Sequence, residues 1–229
     1  MAGTKAIPVH VGLIVDGNRR WAKARGLPTS MGHRRGFEAI KKVCDGLLDR
    51  GVKYVSAFIF STENWQRSRK EVDYLMDLAY ERLTRDLEEF NQKGIRLKIL
   101  GRRDKVPKKL LGALDEAVDC TKGNTQGTLA LCFNYGGQQE IVDAANKLIK
   151  AGKKLISKDD ISRSLYEPDI PPIDIMVRTS GEHRISNFML WRIAYSELMF
   201  IDKHFPAMTA KDADVILKEF ATRQRRFGK

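Results

Sequence analysis

Asp16-Gly17-Asn18-Arg19-Arg20, with Trp21 directly after, gathers a carboxylate, an amide and two guanidiniums into one short stretch of this 229-residue chain. A carboxylate offers hard oxygen to a divalent cation, and guanidinium forks match phosphate oxygens, so the stretch suits a metal-bridged phosphate. Taken alone, Asp-Gly is equally an ordinary turn leading into a capped helix. Three other clusters carry similar chemistry: Ser61-Thr62-Glu63-Asn64-Trp65-Gln66-Arg67, Asn134-Tyr135-Gly136-Gly137, and the run from Arg178 through Ser186.

Each cluster follows an apolar run of strand length. Residues 9–15, 54–60, 95–100, 128–133, 173–177 and 198–201 read as strands, and 34–50, 70–93, 107–122, 138–150 and 210–223 carry helical periodicity. This alternation predicts an α/β fold, one domain with a mostly parallel central sheet flanked by helices. In such sheets ligands bind beyond the carboxyl ends of the strands, where the polar clusters converge. Two segments read as loose: 153–172, and the charged 66–71, which is either a mobile loop over a site or a solvated helix start. Asp159 and Asp160 lack a third acid and read as the start of a surface helix, not a paired-aspartate metal motif.

Lys and Arg number 41 against 29 acidic residues, a net charge of +12, which calls for an anionic partner without naming it. Nucleic acid, anionic lipid and diphosphates all fit that charge, as does a merely basic surface. No nucleic-acid motif, Walker loop or GxGxxG after the first strand is present. Cys44, Cys120 and Cys132 have no CxxC spacing and read as small buried hydrophobes. Without a membrane-length apolar run or a signal-peptide pattern, a soluble cytoplasmic protein is expected.

Four segments, HVGLIVDGNRRWAKARG, FIFSTENWQRS, NYGGQQEIVDA and VRTSGEHRISNFMLWRIAYSEL, closely resemble the cis-prenyltransferases, the undecaprenyl diphosphate synthase family. The resemblance runs in order along nearly the whole chain. It implies a homodimer with the undecaprenyl diphosphate synthase-like fold that adds isopentenyl diphosphate units, with cis geometry, to an allylic diphosphate. The product implied is a polyprenyl diphosphate, the precursor of a glycosyl carrier lipid.

By that resemblance Asp16 matches the catalytic aspartate that handles Mg2+ and the allylic diphosphate. Gly17, Asn18, Arg19 and Arg20 match the stretch that grips this diphosphate, with Trp21 packed beside it, and His33 matches a histidine near the diphosphates. Ser61, Thr62, Glu63, Trp65 and Arg67 match substrate-contacting positions. Asn64 matches a residue assigned to proton removal, although an amide is a weak base and a relay through water or diphosphate is easier. Arg178, Arg184, Ile185 and Ser186 match the isopentenyl diphosphate pocket. His183 and Glu197 match positions associated with the metal, an ordinary ion pair being the competing reading for Glu197. Arg226-Phe227-Gly228 resembles a terminal element that reaches across the dimer. Arg19 stands where many members have glycine, and Thr29 where some have arginine.

A growing prenyl tail must leave water, since each buried CH2 contributes about 0.8 kcal/mol. Val72, Leu75, Met76, Ala79, Leu83 and Leu87 have the spacing for one wall of a tunnel, with Val55, Ala57 and Ile59, or Phe58 and Phe60, opposite. The same stripe is also what an ordinary core requires. No insertion relative to the medium-chain pattern is present, so a dolichol-length product is not expected. The resemblance also implies peripheral membrane contact for product release. A noncatalytic partner subunit, which would lack the aspartate and arginines kept here, and a nucleic-acid module are the alternatives.

Overall fold

The computed structural model describes residues 6–223. Its elements run β1 (His10–Ile14), α1 (Asn18–Lys23), α2 (Thr29–Leu48), β2 (Tyr54–Ser61), a 3-10 turn (Thr62–Gln66), α3 (Arg69–Gln92), β3 (Ile95–Leu100), α4 (Lys108–Thr121) and β4 (Gly127–Tyr135). They continue with α5 (Gly137–Lys150), α6 (Lys158–Ser164), β5 (Ile175–Thr179), β6 (Glu197–Ile201) and α7 (Asp212–Thr222). The six strands form one parallel sheet in the order β3-β4-β2-β1-β5-β6. Parallel strands need helical crossovers that cover both faces, which is why β1 and β5 are buried at every residue and read as continuous apolar runs.

One face packs Val11, Leu13, Val55, Ala57, Leu97 and Leu129 against α2, α3, α4 and α7. The other packs Ile14, Phe58, Cys132 and Met176 against Ile170, Ile173, Phe188 and Met189. Starting from β1, the sheet grows through β2, β3 and β4 to one side. The crossover through α5 and α6 then returns the chain to β5 on the other side of β1. The boundary between β1 and β5 is therefore the point where strand order reverses, and a crevice opens there.

Helix α2 begins earlier than the 34–50 expected from periodicity, and it carries two glycines packed on α1: a Cβ at Gly32 would stand 2.1 Å from the Asn18 carbonyl oxygen and one at Gly36 2.4 Å from Asn18 Oδ1. They permit the close approach of α1 to α2 within a helix that begins at Thr29, just after Pro28. The segment 66–71 resolves as a helix start: Ser68 caps α3 by accepting the Glu71 N–H. Asp160 pairs with Ser157 in a capping box that opens α6, as expected of a surface helix. Cys44 and Cys132 are buried, whereas Cys120 is exposed on α4, so the expectation that all three are buried fails for Cys120.

Candidate active site

A cavity of about 1240 Å3 opens beyond the carboxyl ends of β1, β2 and β5. Asp16, two residues past β1, lines it beside Arg178 of β5. Arg178 Nη2 donates to Asp16 Oδ2 at 2.9 Å, and the Gly17 backbone N–H donates to Oδ1 at 2.6 Å. Arg20 Nη2 stands 3.4 Å from Oδ1. Burial works against ionisation of Asp16, but the Arg178 hydrogen bond, the Gly17 N–H and the charges of Arg178 and Arg20 prevail, and its carboxyl is held below the usual range. The side chain is still 30% exposed, so a ligand can reach it.

The chain around Asp16 is fixed from behind. Thr179 and Ser180 hydroxyls donate to the Asp16 carbonyl at 2.8 and 2.9 Å, and the Thr179 hydroxyl accepts the Asp16 N–H at 3.1 Å. Gly17 takes φ +98°, and a Cβ there would lie 1.9 Å from Ser180 Oγ. Only glycine meets both demands.

Arg178 is nearly buried and donates through Nη1 to the Arg184 carbonyl at 2.5 Å and to Ser186 Oγ at 2.7 Å. Its Nε is buried without a hydrogen-bond partner. The loop that wraps it holds Ser180, Ser186, Asn187 and Met189 at positive φ, a concentration of backbone strain that surrounding contacts must maintain. Arg20 and Arg184 both pair with Glu182, whose carboxyl is lowered by the Arg184 hydrogen bond and then by the charges of Arg184 and Arg20.

After β2 the chain turns through Ser61, Thr62, Glu63 and Asn64. Asn64 Oδ1 accepts the Ser61 N–H at 3.1 Å in a capping box. That oxygen is thus engaged by the backbone, which leaves little basicity for proton removal. Burial opposes ionisation of Glu63, yet the Glu63 N–H and hydrogen bonds from Ser61, Asn187 and Thr62 lower its pKa. His33 is buried on α2, 3.3 Å from Glu71, which also accepts from Arg67 at 3.2 Å. Burial and then the Arg67 charge push the His33 imidazole down, against the pull of Glu71, favouring the neutral ring.

Of the residues singled out in the sequence, Asp16, Gly17, Asn18, Arg19, Arg20, His33, Ser61, Glu63, Asn64, Arg67, Arg178 and Ser186 line this one cavity. Others stand behind or beside it. Trp65 packs edge-on against Phe60 and donates to Asn134 Oδ1 at 2.7 Å, an anchoring role. Trp21 lies under the Arg25 guanidinium, 4.5 Å from the ring centroid. Thr62 abuts Gly136, and Ile185 packs into the core below the loop.

The three residues matched to the metal do not meet in the structure. His183 is exposed and stacks on Phe200 of β6 at 4.8 Å. Glu197 is paired in register with Ile175 at the amino end of β5, whereas Asp16 lies against Thr179 at the carboxyl end. Arg223 stands 4.0 Å from Glu197, which supports the ion-pair reading. Among the described residues no group of three or more His, Cys, Asp or Glu side chains could hold a metal alone. Arg226, Phe227 and Gly228 lie outside the described residues.

The family model described as "Putative undecaprenyl diphosphate synthase" matches residues 14–228. An isoprenyl transferase of Thermotoga maritima is 44% identical over 226 residues, covering 97% of each chain. The chain belongs to the undecaprenyl diphosphate synthase family. It is a cis-prenyltransferase, and the family implies diphosphate substrates. The isoprenyl transferase of Fusobacterium nucleatum is likewise 44% identical, over 98% of this chain and 97% of the relative. Among solved structures, lavandulyl diphosphate synthase from Lavandula x intermedia in complex with dimethylallyl diphosphate superposes with a TM-score of 0.93 at 31% identity, covering 97% of this chain and 99% of that one. A probable undecaprenyl diphosphate synthase from Campylobacter jejuni gives 0.83 at 29% identity with the same coverage.

The prenyltransferase cavity also has members that the polar motifs did not disclose. Asn187 lines it, donates to Glu63 Oε1 at 3.1 Å and accepts the Gln138 N–H at 2.8 Å, so it ties three strand-end segments together. Its positive φ has no sequence signature beyond Asn itself. Lys23 adds a cation at the rim, and Phe37 and Ile40 of α2 supply inner apolar lining. Of the residues read as tunnel wall or core, Leu75 and Ile59 line the cavity, whereas Val72, Met76, Val55, Ala57 and Phe60 pack in the core. Phe58 joins Leu75 and Ile59 because β2 shifts register between Phe58 and Phe60, a bulge that breaks strict alternation.

Proposed function

We propose that this chain condenses isopentenyl diphosphate with an allylic diphosphate such as farnesyl or geranylgeranyl diphosphate, in repeated steps, to give a polyprenyl diphosphate that serves as a glycosyl carrier lipid precursor. The observation that carries this reading is the Asp16–Arg178 pair in a cavity whose polar mouth passes into apolar walls at Phe37, Ile40, Ile59 and Leu75. Such a space suits a molecule with a charged head and a hydrocarbon tail.

Asn18, Arg19 and Arg20 hold the allylic diphosphate, with the Gly17 turn keeping them beside Asp16. Arg178, Arg184 and Ser186 hold the isopentenyl diphosphate, Arg67 completes the cation-rich rim, and His33 stands beside it as a neutral ring. In each cycle the allylic C–O bond breaks, its carbon bonds to the terminal alkene carbon of isopentenyl diphosphate, and a proton leaves the adjacent carbon. The products are diphosphate, a proton and a chain longer by one isoprene unit. Because Asn64 Oδ1 is occupied, its amide positions substrate while a phosphate oxygen takes the proton.

An accessible, ionised carboxylate beside a phosphate site fits Mg2+, which takes one or two carboxylates together with substrate phosphates and needs no closed protein shell. Asp16 would hold it, and when bound it stabilises charge on the departing diphosphate. His183 and Glu197 stay outside that set in a single subunit. We assign β6 to a homodimer contact, since it is a sheet edge with Leu198 40% exposed. None of the described helices is long and apolar enough to cross a membrane. We place the enzyme in the cytoplasm with peripheral membrane contact at product release, because the finished tail must pass from the cavity to lipid and the +12 charge favours anionic surfaces.

The test is incubation of the purified protein with Mg2+, radiolabelled isopentenyl diphosphate and, separately, dimethylallyl, geranyl, farnesyl and geranylgeranyl diphosphates. A Mg2+-dependent ladder of extractable prenyl products is expected. A folded protein that yields none with any primer contradicts the reading and points to a noncatalytic partner subunit.

A further inference from the structure

Phe37, Ile40 and Ile59 line both the main cavity and a second chamber of about 60 Å3, which α2, α3, α4 and the sheet enclose. Ala79, Leu83, Leu131 and Phe133 give it hydrocarbon wall, interrupted by Lys41, Asp86 and Arg82. Lys41 is paired with Glu89 and Asp86 with Arg85, whereas Arg82 keeps a buried N–H without a partner. Arg82 occupies the apolar stripe of α3, seven positions after Leu75 and three after Ala79, where a helix facing a core would carry Leu.

The Arg82 side chain is only 6% exposed. Its Nη2 donates to Glu38 Oε1 at 2.9 Å, while its Nε is buried without a hydrogen-bond partner. A guanidinium N–H left unmatched against hydrocarbon is costly, so packing alone gives no reason for this residue. Nor is it needed to hold α2 to α3. Arg34 pairs with Glu81 at 3.0 Å, Lys41 with Glu89, and Lys93 with Asp45 at 2.6 Å along the same seam.

We propose that Arg82 determines product length by ending the path open to the prenyl tail. This rests on the reading that the cavity holds a prenyl diphosphate. A tail that grows past Phe37, Ile40 and Ile59 enters the small chamber and meets the guanidinium. Further growth would press hydrocarbon against a charged, underbonded group and pull it from Glu38, so elongation stops and product leaves.

The experiment compares wild type with Arg82→Leu, Arg82→Ala and Arg82→Lys. Glu38 remains paired with Arg35 at 2.8 Å when Arg82 is removed, so no buried carboxylate is stranded. With farnesyl diphosphate, radiolabelled isopentenyl diphosphate and Mg2+, the Leu and Ala variants should give a main product longer by one or more isoprene units. Arg82→Lys should keep the wild-type length, and kcat/KM for the first condensation should change by no more than about twofold, because the reacting atoms are remote. In parallel, calorimetry measures binding of saturated n-alkyl diphosphates of increasing length without isopentenyl diphosphate. Wild-type affinity should rise roughly fourfold per CH2 and then level off, whereas in Arg82→Leu the rise should continue to longer chains.

Identical products and an identical plateau length in folded Leu and Ala variants would overturn the proposal. If no protein makes prenyl products, the functional reading falls, and the calorimetric plateau decides by itself whether Arg82 limits the tail: a plateau that moves supports the limit, and one that stays refutes it.

Discussion

His10 shows how a single buried side chain makes folding depend on pH. It is fully buried on β1, with Nδ1 2.8 Å from the Pro171 carbonyl oxygen and Nε2 2.8 Å from Ser56 Oγ. A carbonyl oxygen can only accept, so Nδ1 carries the proton and the Ser56 hydroxyl donates to Nε2. Burial is the largest influence and lowers the pKa from 6.5 to about 4, despite the Pro171 carbonyl, which raises it. The folded state therefore binds this proton less readily than the unfolded state. Its stabilisation is complete above pH 6.5 and lost as pH falls toward 4, about 3 kcal/mol in total. Urea unfolding across that range should show a steeper acid loss for wild type than for His10→Asn. Parallel profiles would show that His10 is not the group responsible. No sequence pattern disclosed this role, because a lone histidine on an apolar strand takes its meaning from the carbonyl and hydroxyl that face it.

Among the elements, the turn from β1 into α1 couples backbone geometry to chemistry. A Gly17→Ala variant must place a Cβ at φ +98° and 1.9 Å from Ser180 Oγ, so the turn or the loop after β5 has to move. We expect a loss of about 1–3 kcal/mol in a denaturant melt. We also expect a larger proportional loss of turnover, since Asp16 and Arg20 shift together. A variant with wild-type turnover would show that the cradle tolerates this displacement. Asp-Gly was legible in the sequence, and so was its position after a strand. Strands and helices were legible because both faces of the sheet are covered and the helical stripes are regular. The start of α2 was missed because its first turn carries Gly32 for close packing against Asn18, a tertiary demand that periodicity does not show. Asn187 was missed because its contribution is a backbone conformation and bonds to residues far away in sequence.

For the whole molecule, the reversal of strand order between β1 and β5 brings residues 162 positions apart, Asp16 and Arg178, into one hydrogen bond. The sequence clusters pointed to convergence at one sheet edge, and twelve of the proposed site residues do line one cavity. The metal set was less legible: sequence motifs placed His183 and Glu197 with Asp16, but the sheet register puts Glu197 at the opposite strand ends. The β6 edge and its exposed Leu198 lead to an expected homodimer. Sedimentation equilibrium should give twice the chain mass, with Leu198→Lys shifting the molecule toward monomer. A monomeric wild type at micromolar concentration would remove that assignment. Mg2+ together with a nonhydrolysable allylic diphosphate analogue should raise the melting temperature, because a ligand that binds the folded state stabilises it.

The most direct measurement of the central claim is the rate of labelled isopentenyl diphosphate incorporation by Asp16→Asn and wild type, with circular dichroism confirming that both are folded. The carboxylate lines the cavity between Gly17, Arg20 and Arg178, and the amide removes its charge at nearly constant shape. The account predicts a fall in turnover of about 100-fold or more, the scale of losing an electrostatic group that acts on developing charge. A folded Asp16→Asn enzyme that elongates prenyl chains at near wild-type rate would contradict it.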